Sequence, residues 1–254
     1  MPTTSLDDLN FEESDKKITS SKEPAGTESG ELVPQNFWEG DVSGEITARD
    51  KKFPRLNIGQ KSGNIGEEKG LGALVLNRDI ILLPKFSGPI GPTLPGVIVV
   101  KIQKLYQEKR EYDPSSTQLP RVFNTSKEAN AAGFSTEYGD EKFVAPVALM
   151  LLLVPAPSDL DKGLIEQEFP YDYNGSHYLA AGFFAAGTSW HEAAKPVFTA
   201  LDAPKARELG LRSIRWNMQI IRRTGIKGAW FAMKLSATGY NHPELINFTK
   251  ERIP

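Results

Sequence analysis

The segment from Arg212 to Leu235 constrains the fold more than any other, because its side chains alternate with period two on both sides of a glycine-containing connection. In the first arm Ile214, Trp216, Met218 and Ile220 fall on one face, and Arg215, Asn217, Gln219 and Arg223 fall on the other. In the second arm Ala229, Phe231, Met233 and Leu235 share a face, leaving Trp230, Ala232, Lys234 and Ser236 opposite. A helix would scatter these apolar residues around its circumference, whereas a strand collects them on one side. The pattern therefore predicts a half-buried hairpin turned by Thr224 to Gly228. Its outward face carries Arg215, Asn217, Gln219, Arg223, Lys234 and one large aromatic, Trp230.

From Phe53 onward the chain reads as mainly β (α+β), with short apolar runs separated by Gly and Pro clusters at 59–72, 84–96 and 155–163. Strands are expected near 53–58, 71–76, 96–107, 143–154, 177–185, 211–223 and 228–237. Thr125 with Glu128 is a capping-box pattern and Gly133 a left-handed stop, predicting a helix near 126–132. Ser189 with Glu192 repeats that signature, for a helix running to about Leu201 that Pro196 kinks or shortens. A last helix is expected from Asn241 or His242, with Pro243 in its first turn and Glu244 at the positive end of its dipole.

Charge divides the chain. Residues 1–50 hold 12 acidic against 4 basic side chains, while 205–254 hold ten basic side chains against Glu208, Glu244 and Glu251. The first 50 residues are also poor in apolar area to offset ordering entropy, which predicts a disordered acidic arm ahead of a β-rich domain at 51–254. Phe37-Trp38 is the arm's only aromatic pair and is suited to docking on the body or on a neighbouring subunit. No basic stretch followed by an apolar run opens the sequence, so no secretory signal is expected. The longest apolar run, Val144 to Pro157, is interrupted by Pro146 and is too short for a spanning helix. No membrane association is expected and the expected location is cytoplasmic.

The absence of cysteine excludes disulfides, thiolate-held zinc, iron–sulfur clusters and a cysteine nucleophile. His177, His191 and His242 have no metal-binding spacing, so no metal or cofactor is expected. Gly59-Gln60-Lys61-Ser62-Gly63-Asn64-Ile65-Gly66 lacks the leading glycine and following apolar helix of a P-loop, and reads as a mobile basic loop. Asp140-Glu141-Lys142, Glu166-Gln167-Glu168 and Asp172 would be the carboxylates of a metal-dependent nuclease, but no spacing joins two of them at one site. Ser189-Trp190-His191 and Tyr240-Asn241-His242 read as helix starts, without the G-x-S-x-G elbow of a hydrolase. The expectation is a binding protein and not an enzyme.

An aromatic ring set among cations on a flat sheet suits single-stranded nucleic acid: bases stack on the ring while guanidinium and ammonium groups follow the phosphates. A second segment repeats the arrangement. Ile98, Val100 and Ile102 alternate with Val99, Lys101 and Gln103, followed by Lys104-Leu105-Tyr106 and Lys109-Arg110-Glu111-Tyr112. The expected stacking residues are Trp230, Tyr106 and Tyr112; the expected phosphate contacts are Arg215, Arg223, Lys227, Lys234, Lys101, Lys104 and Arg110. The competing reading buries Trp230 under the last helix and leaves the cations as ordinary surface charge.

Phe53-Pro54-Arg55-Leu56-Asn57-Ile58-Gly59-Gln60-Lys61-Ser62 and the Gly-rich gap after it resemble the opening of single-stranded DNA-binding proteins from tailed bacteriophages. The order of later features is similar: a strand at Val97 to Tyr106 ending in charged and aromatic residues, an apolar strand closed by Val154-Pro155, and Trp216 with Gly228-Ala229-Trp230-Phe231. The resemblance implies an OB-like, partly open β-barrel that coats single strands without sequence preference during replication, recombination or repair, in an infected host cell. It further implies replication or recombination proteins as partners, here through the acidic arm. Many such proteins carry their acidic tail at the carboxy terminus; this chain has Lys250 and Arg252 there. A virion or scaffold protein assembled as a homo-oligomer through its amino-terminal arm is the alternative expectation.

Overall fold

The computed structural model of the protein describes residues 54–61, 63–88, 90–110, 119–226 and 228–253. The acidic arm, Tyr112 and Lys227 lie outside the described residues. Among the described residues ten strands follow in order: β1 (Leu56–Ile58), β2 (Leu74–Leu76), β3 (Ile80–Leu83), β4 (Thr93–Glu108), β5 (Val122–Phe123), β6 (Val144–Pro155), β7 (Tyr171–Tyr173), β8 (Ser176–Ala185), β9 (Ile214–Gly225) and β10 (Gly228–Tyr240). They form an antiparallel three-stranded sheet, β1-β2-β3, and an antiparallel seven-stranded sheet ordered β10-β9-β4-β6-β8-β7, with β5 added to β4. The protein is mainly β. All seven strands expected from the sequence are present with shifted ends, while β3, β5 and β7 are too short to leave a periodic signal.

The sixteen-residue β4 is the backbone of the larger sheet. Its first half pairs with β9 from Thr93↔Gln219 to Ile98↔Arg215, and its opposite edge pairs with β6 from Ile98↔Leu153 to Glu108↔Val144. A bulge between Val99 and Lys101 changes the alternation expected from the sequence. Val97 and Val99 enter the main core, Ile98 and Val100 pack on the opposite face, and beyond the bulge Ile102 turns back toward the main core. The inserted residue shifts each later side chain to the other face.

The main core takes one face of β6, β8, β9 and β10, including Met150, Leu152, Phe183, Trp216, Met218, Phe231 and Met233. Burying side chains of this size contributes about 1.5–3 kcal/mol each. The segment leading into β1 reaches β8 beyond its short pairing with β7 on one side of the sheet and the edge strand β10 on the other. Pro54 accepts from the Gly182 N–H of β8 at 2.8 Å, and the Gln60 amide exchanges two hydrogen bonds with the Phe231 backbone of β10. The sheet does not close by strand pairing.

Helices plug the remaining gaps. Thr125 Oγ1 accepts from Glu128 N at 3.1 Å while Glu128 returns a bond to Asn124 N at 2.8 Å, so the expected capping box starts α2 (Ser126–Ala131), and Gly133 at φ 82° follows it. The second expected box does not form. Ser189 has helical φ/ψ and its Oγ accepts from Met233 N at 3.1 Å, capping the edge of β10 instead of a helix. Trp190–Ala194 is a π-helical turn that passes into a short α-helix, Lys195–Ala200, with Pro196 in its first turn. The Gly-rich stretch expected as a mobile loop holds the helix Asn64–Glu68, and a Cβ on Gly66 would lie 2.0 Å from the Gln60 carbonyl oxygen. Only glycine permits that approach.

The terminal helix Pro243–Arg252, with His242 as its N-cap, covers the second face of the sheet, where Leu245 and Ile253 pack with Ile98, Leu151, Leu153 and Tyr178. Half-buried Arg212 donates to the Thr249 carbonyl in its last turn, the negative end of the helix dipole, and burial lowers the guanidinium pKa. Among the described residues no helix is long and apolar enough to cross a membrane.

Candidate nucleic-acid interface

The register of the β9–β10 hairpin puts the expected outward residues on one face, strung along its length. Trp230 lies opposite Arg223, Lys234 opposite Gln219, and Ser236 opposite Asn217, with Arg215 opposite Gly239 beyond a bulge. Paired residues of an antiparallel ladder project from the same face, so these side chains form one surface. No Asp or Glu occurs between Glu208 and Glu244, an interval holding Arg212, Arg215, Arg222, Arg223, Lys227 and Lys234. With Arg212 turned to the terminal helix, the remaining cations of this interval meet no carboxylate from within it.

Trp230 is 38% exposed and is not covered by the terminal helix. Its indole Nε1 donates to Thr188 Oγ1 at 2.8 Å, which fixes the ring plane. Arg223, half exposed, forms an ion pair with Glu192 of the π-helical turn. One edge of the surface is therefore held by the segment 188–192, which also caps β10 through Ser189.

The β4 residues divide. Lys101 pairs with Leu151, whose side chain is on the second face, so Lys101 shares the face of Arg215. Lys104 pairs with Ala148, a main-core residue, so it and Tyr106 project from the other side of the sheet, where the Lys104 ammonium lies 5.2 Å from the Tyr106 ring centroid. Arg110 pairs with Glu108 at 2.7 Å. That hydrogen bond holds the Glu108 carboxyl below its usual range, against desolvation and with help from the Arg121 N–H. Of the β4 residues expected to contact the strand, Lys101 joins the face of Arg215, whereas Lys104 and Tyr106, three and five residues on, project from the other: the bulge at Val99/Lys101 resets which parity of β4 continues the hairpin face.

Sequence reading overlooked Arg222, Phe86 and Ile90. The loop between β3 and β4 runs beside β9: Ile220 N–H donates to Pro92 O at 3.3 Å and Gln219 Nε2 to Gly91 O at 3.2 Å. It then diverges and leaves a cleft of about 620 Å³ walled by Phe86, Ile90 and Ile221, with Arg222 and Arg223 lining it. Arg222 has the parity of Ile220, which placed it on the core side; it is exposed because β9 projects past the core, as the unbroken exposed run from Arg222 to Gly225 records. A charge at a core-parity position near a strand end was the available signal. Asp140 and Glu141 are exposed in the turn before β6, and among the described residues no group of three or more His, Cys, Asp or Glu is close enough to hold a metal ion.

No protein-family model, curated protein or solved structure matches the chain.

Proposed function

We propose that the protein binds single-stranded DNA without sequence preference, coating it during replication, recombination or repair in the manner of the bacteriophage proteins that its opening decapeptide resembles. The observation that carries this reading is the cross-strand pair Trp230–Arg223, with Lys234 and then Arg215 farther along the same face. It offers an oriented, partly exposed ring for a base and guanidinium and ammonium groups for the phosphates that flank it. The function is binding, with no cofactor and no bond-making step. An OB-like, partly open barrel is the architecture proposed with it, supported by the way the segment 54–60 bonds to β8 on one side of the sheet and to β10 on the other.

Fluorescence-anisotropy titration of labelled single-stranded and duplex oligonucleotides at several salt concentrations tests the reading, with tryptophan quenching followed in parallel. Preference for the single strand, quenching and a steep salt dependence are expected. Absence of binding at low salt, where phosphate attraction is strongest, overturns it.

A further inference from the structure

Resting on the single-strand reading, we propose that the cleft between β9 and the 86–91 loop seats one nucleotide of the bound strand, its base on the apolar wall and its phosphate on Arg222. The wall is built, not incidental. Phe86 is held from behind by Phe231, with ring centroids 5.6 Å apart, and by Gly72, where a Cβ would fall 2.7 Å from both side chains. The loop is fastened to β9 at Gly91, whose Cβ position lies 1.7 Å from the Ile220 carbonyl oxygen, so no side chain fits there and the loop keeps its height above the strand. Ile90, 74% exposed, and half-buried Ile221 complete an apolar surface that faces open solvent.

A cleft of about 620 Å³ with one apolar wall and one polar, cationic wall is within the usual size of small-ligand sites. Its charge complement selects among ligands. The lining includes two arginines and no carboxylate, and among the described residues Arg222 is drawn into no ion pair. A planar, weakly polar ring joined to a single anion matches that composition, and a guanidinium engages a phosphate through paired donors. Arg223, which also lines the cleft, is the cross-strand partner of Trp230, and both project from the face opposite that of Arg222.

The test uses the full chain with a labelled oligodeoxythymidine. Arg222→Gln and Ile90→Ser alter exposed side chains and should leave the unfolding transition in place. Arg222→Gln is expected to weaken binding about tenfold and lower the salt slope by about one; Ile90→Ser is expected to weaken binding severalfold at unchanged slope. A 5-iodouracil-substituted oligonucleotide is expected to photocrosslink to the peptide containing Phe86 and Ile90. If wild-type protein binds and both variants match it, the cleft is overturned while the hairpin-face reading stands. Weakening by Arg222→Gln alone, with no crosslink to the 86–90 loop, removes the base seat. Failure of wild-type protein to bind removes the single-strand reading, and this inference falls with it.

Discussion

Trp230 and Thr188 are joined by a 2.8 Å hydrogen bond from the indole Nε1 to the threonine hydroxyl, across 42 residues of sequence. The bond satisfies the ring's only donor, Gly225 lies against the six-membered ring, and the indole stays partly exposed. An aromatic held in this way loses little rotamer freedom when a base stacks on it, which is what separates a stacking platform from a merely exposed ring.

Trp230→Ala should therefore cost about 1–3 kcal/mol of single-strand affinity with little change in salt slope, because a stacking contact releases no counterions. Trp230→Phe should retain part of that affinity. Thr188→Val should cost less than Trp230→Ala, since it frees the ring without removing it. Anisotropy titrations at matched salt measure all three, and equal affinity in Trp230→Ala protein overturns the stacking role.

Arg215→Gln and Lys234→Gln should each lower the slope of log affinity against log salt by about one. Lys104→Gln serves as the contrast, because the β4 bulge sends Lys104 to the other side of the sheet; its slope should match that of the wild type. An equal fall for all three would mean that strand binding is not confined to the hairpin face.

Glu192→Gln should raise affinity severalfold and steepen the salt slope, because the carboxylate that engages Arg223 competes with phosphate for the same guanidinium. Unchanged affinity would show that Arg223 stays outside the path of the strand.

Gln60→Ala should destabilise the fold by about 1–3 kcal/mol, since Phe231 N–H and C=O on a largely buried stretch of β10 lose both partners. Gln60→Glu keeps an acceptor for the N–H but, once ionised, has no donor for the carbonyl, so it should not restore stability at neutral pH. Urea unfolding followed by tryptophan fluorescence reads both.

Glu108 gives a pH dependence of definite sign. The Arg110 hydrogen bond depresses its folded pKa below the ordinary value near 4.5, so its stabilising contribution is present above that pH and is lost as the pH falls through the depressed value. In Arg110→Gln protein the Glu108 carboxyl should titrate closer to 4.5 and acid should remove less stability. NMR titration of the Glu108 side chain checks the shift directly.

The alternating hairpin, the α2 capping box and the terminal helix were legible because each rests on local rules: period two, a reciprocal cap, and proline in a first turn. The hairpin even carried its own candidate face, since pairing residues across one turn fixes which side chains share a side. Where non-local partners decide, local rules stopped. Ser189 has the sequence of a cap, yet its hydroxyl is taken by the Met233 N–H of a strand edge 44 residues away. Lys101 and Lys104, three residues apart, take opposite faces of β4, and which of them continues the face of Arg215 is decided by the bulge before Lys101, which shows only in the pairing with β6. The 86–91 loop meets Arg222 only because Gly91 touches Ile220 across some 130 residues of sequence. The sequence alone determined a mainly β chain with a cationic, tryptophan-bearing hairpin. Tertiary structure decided which cations join that ring and formed the cleft beside it, because long-range contacts leave no periodic trace in the chain that makes them.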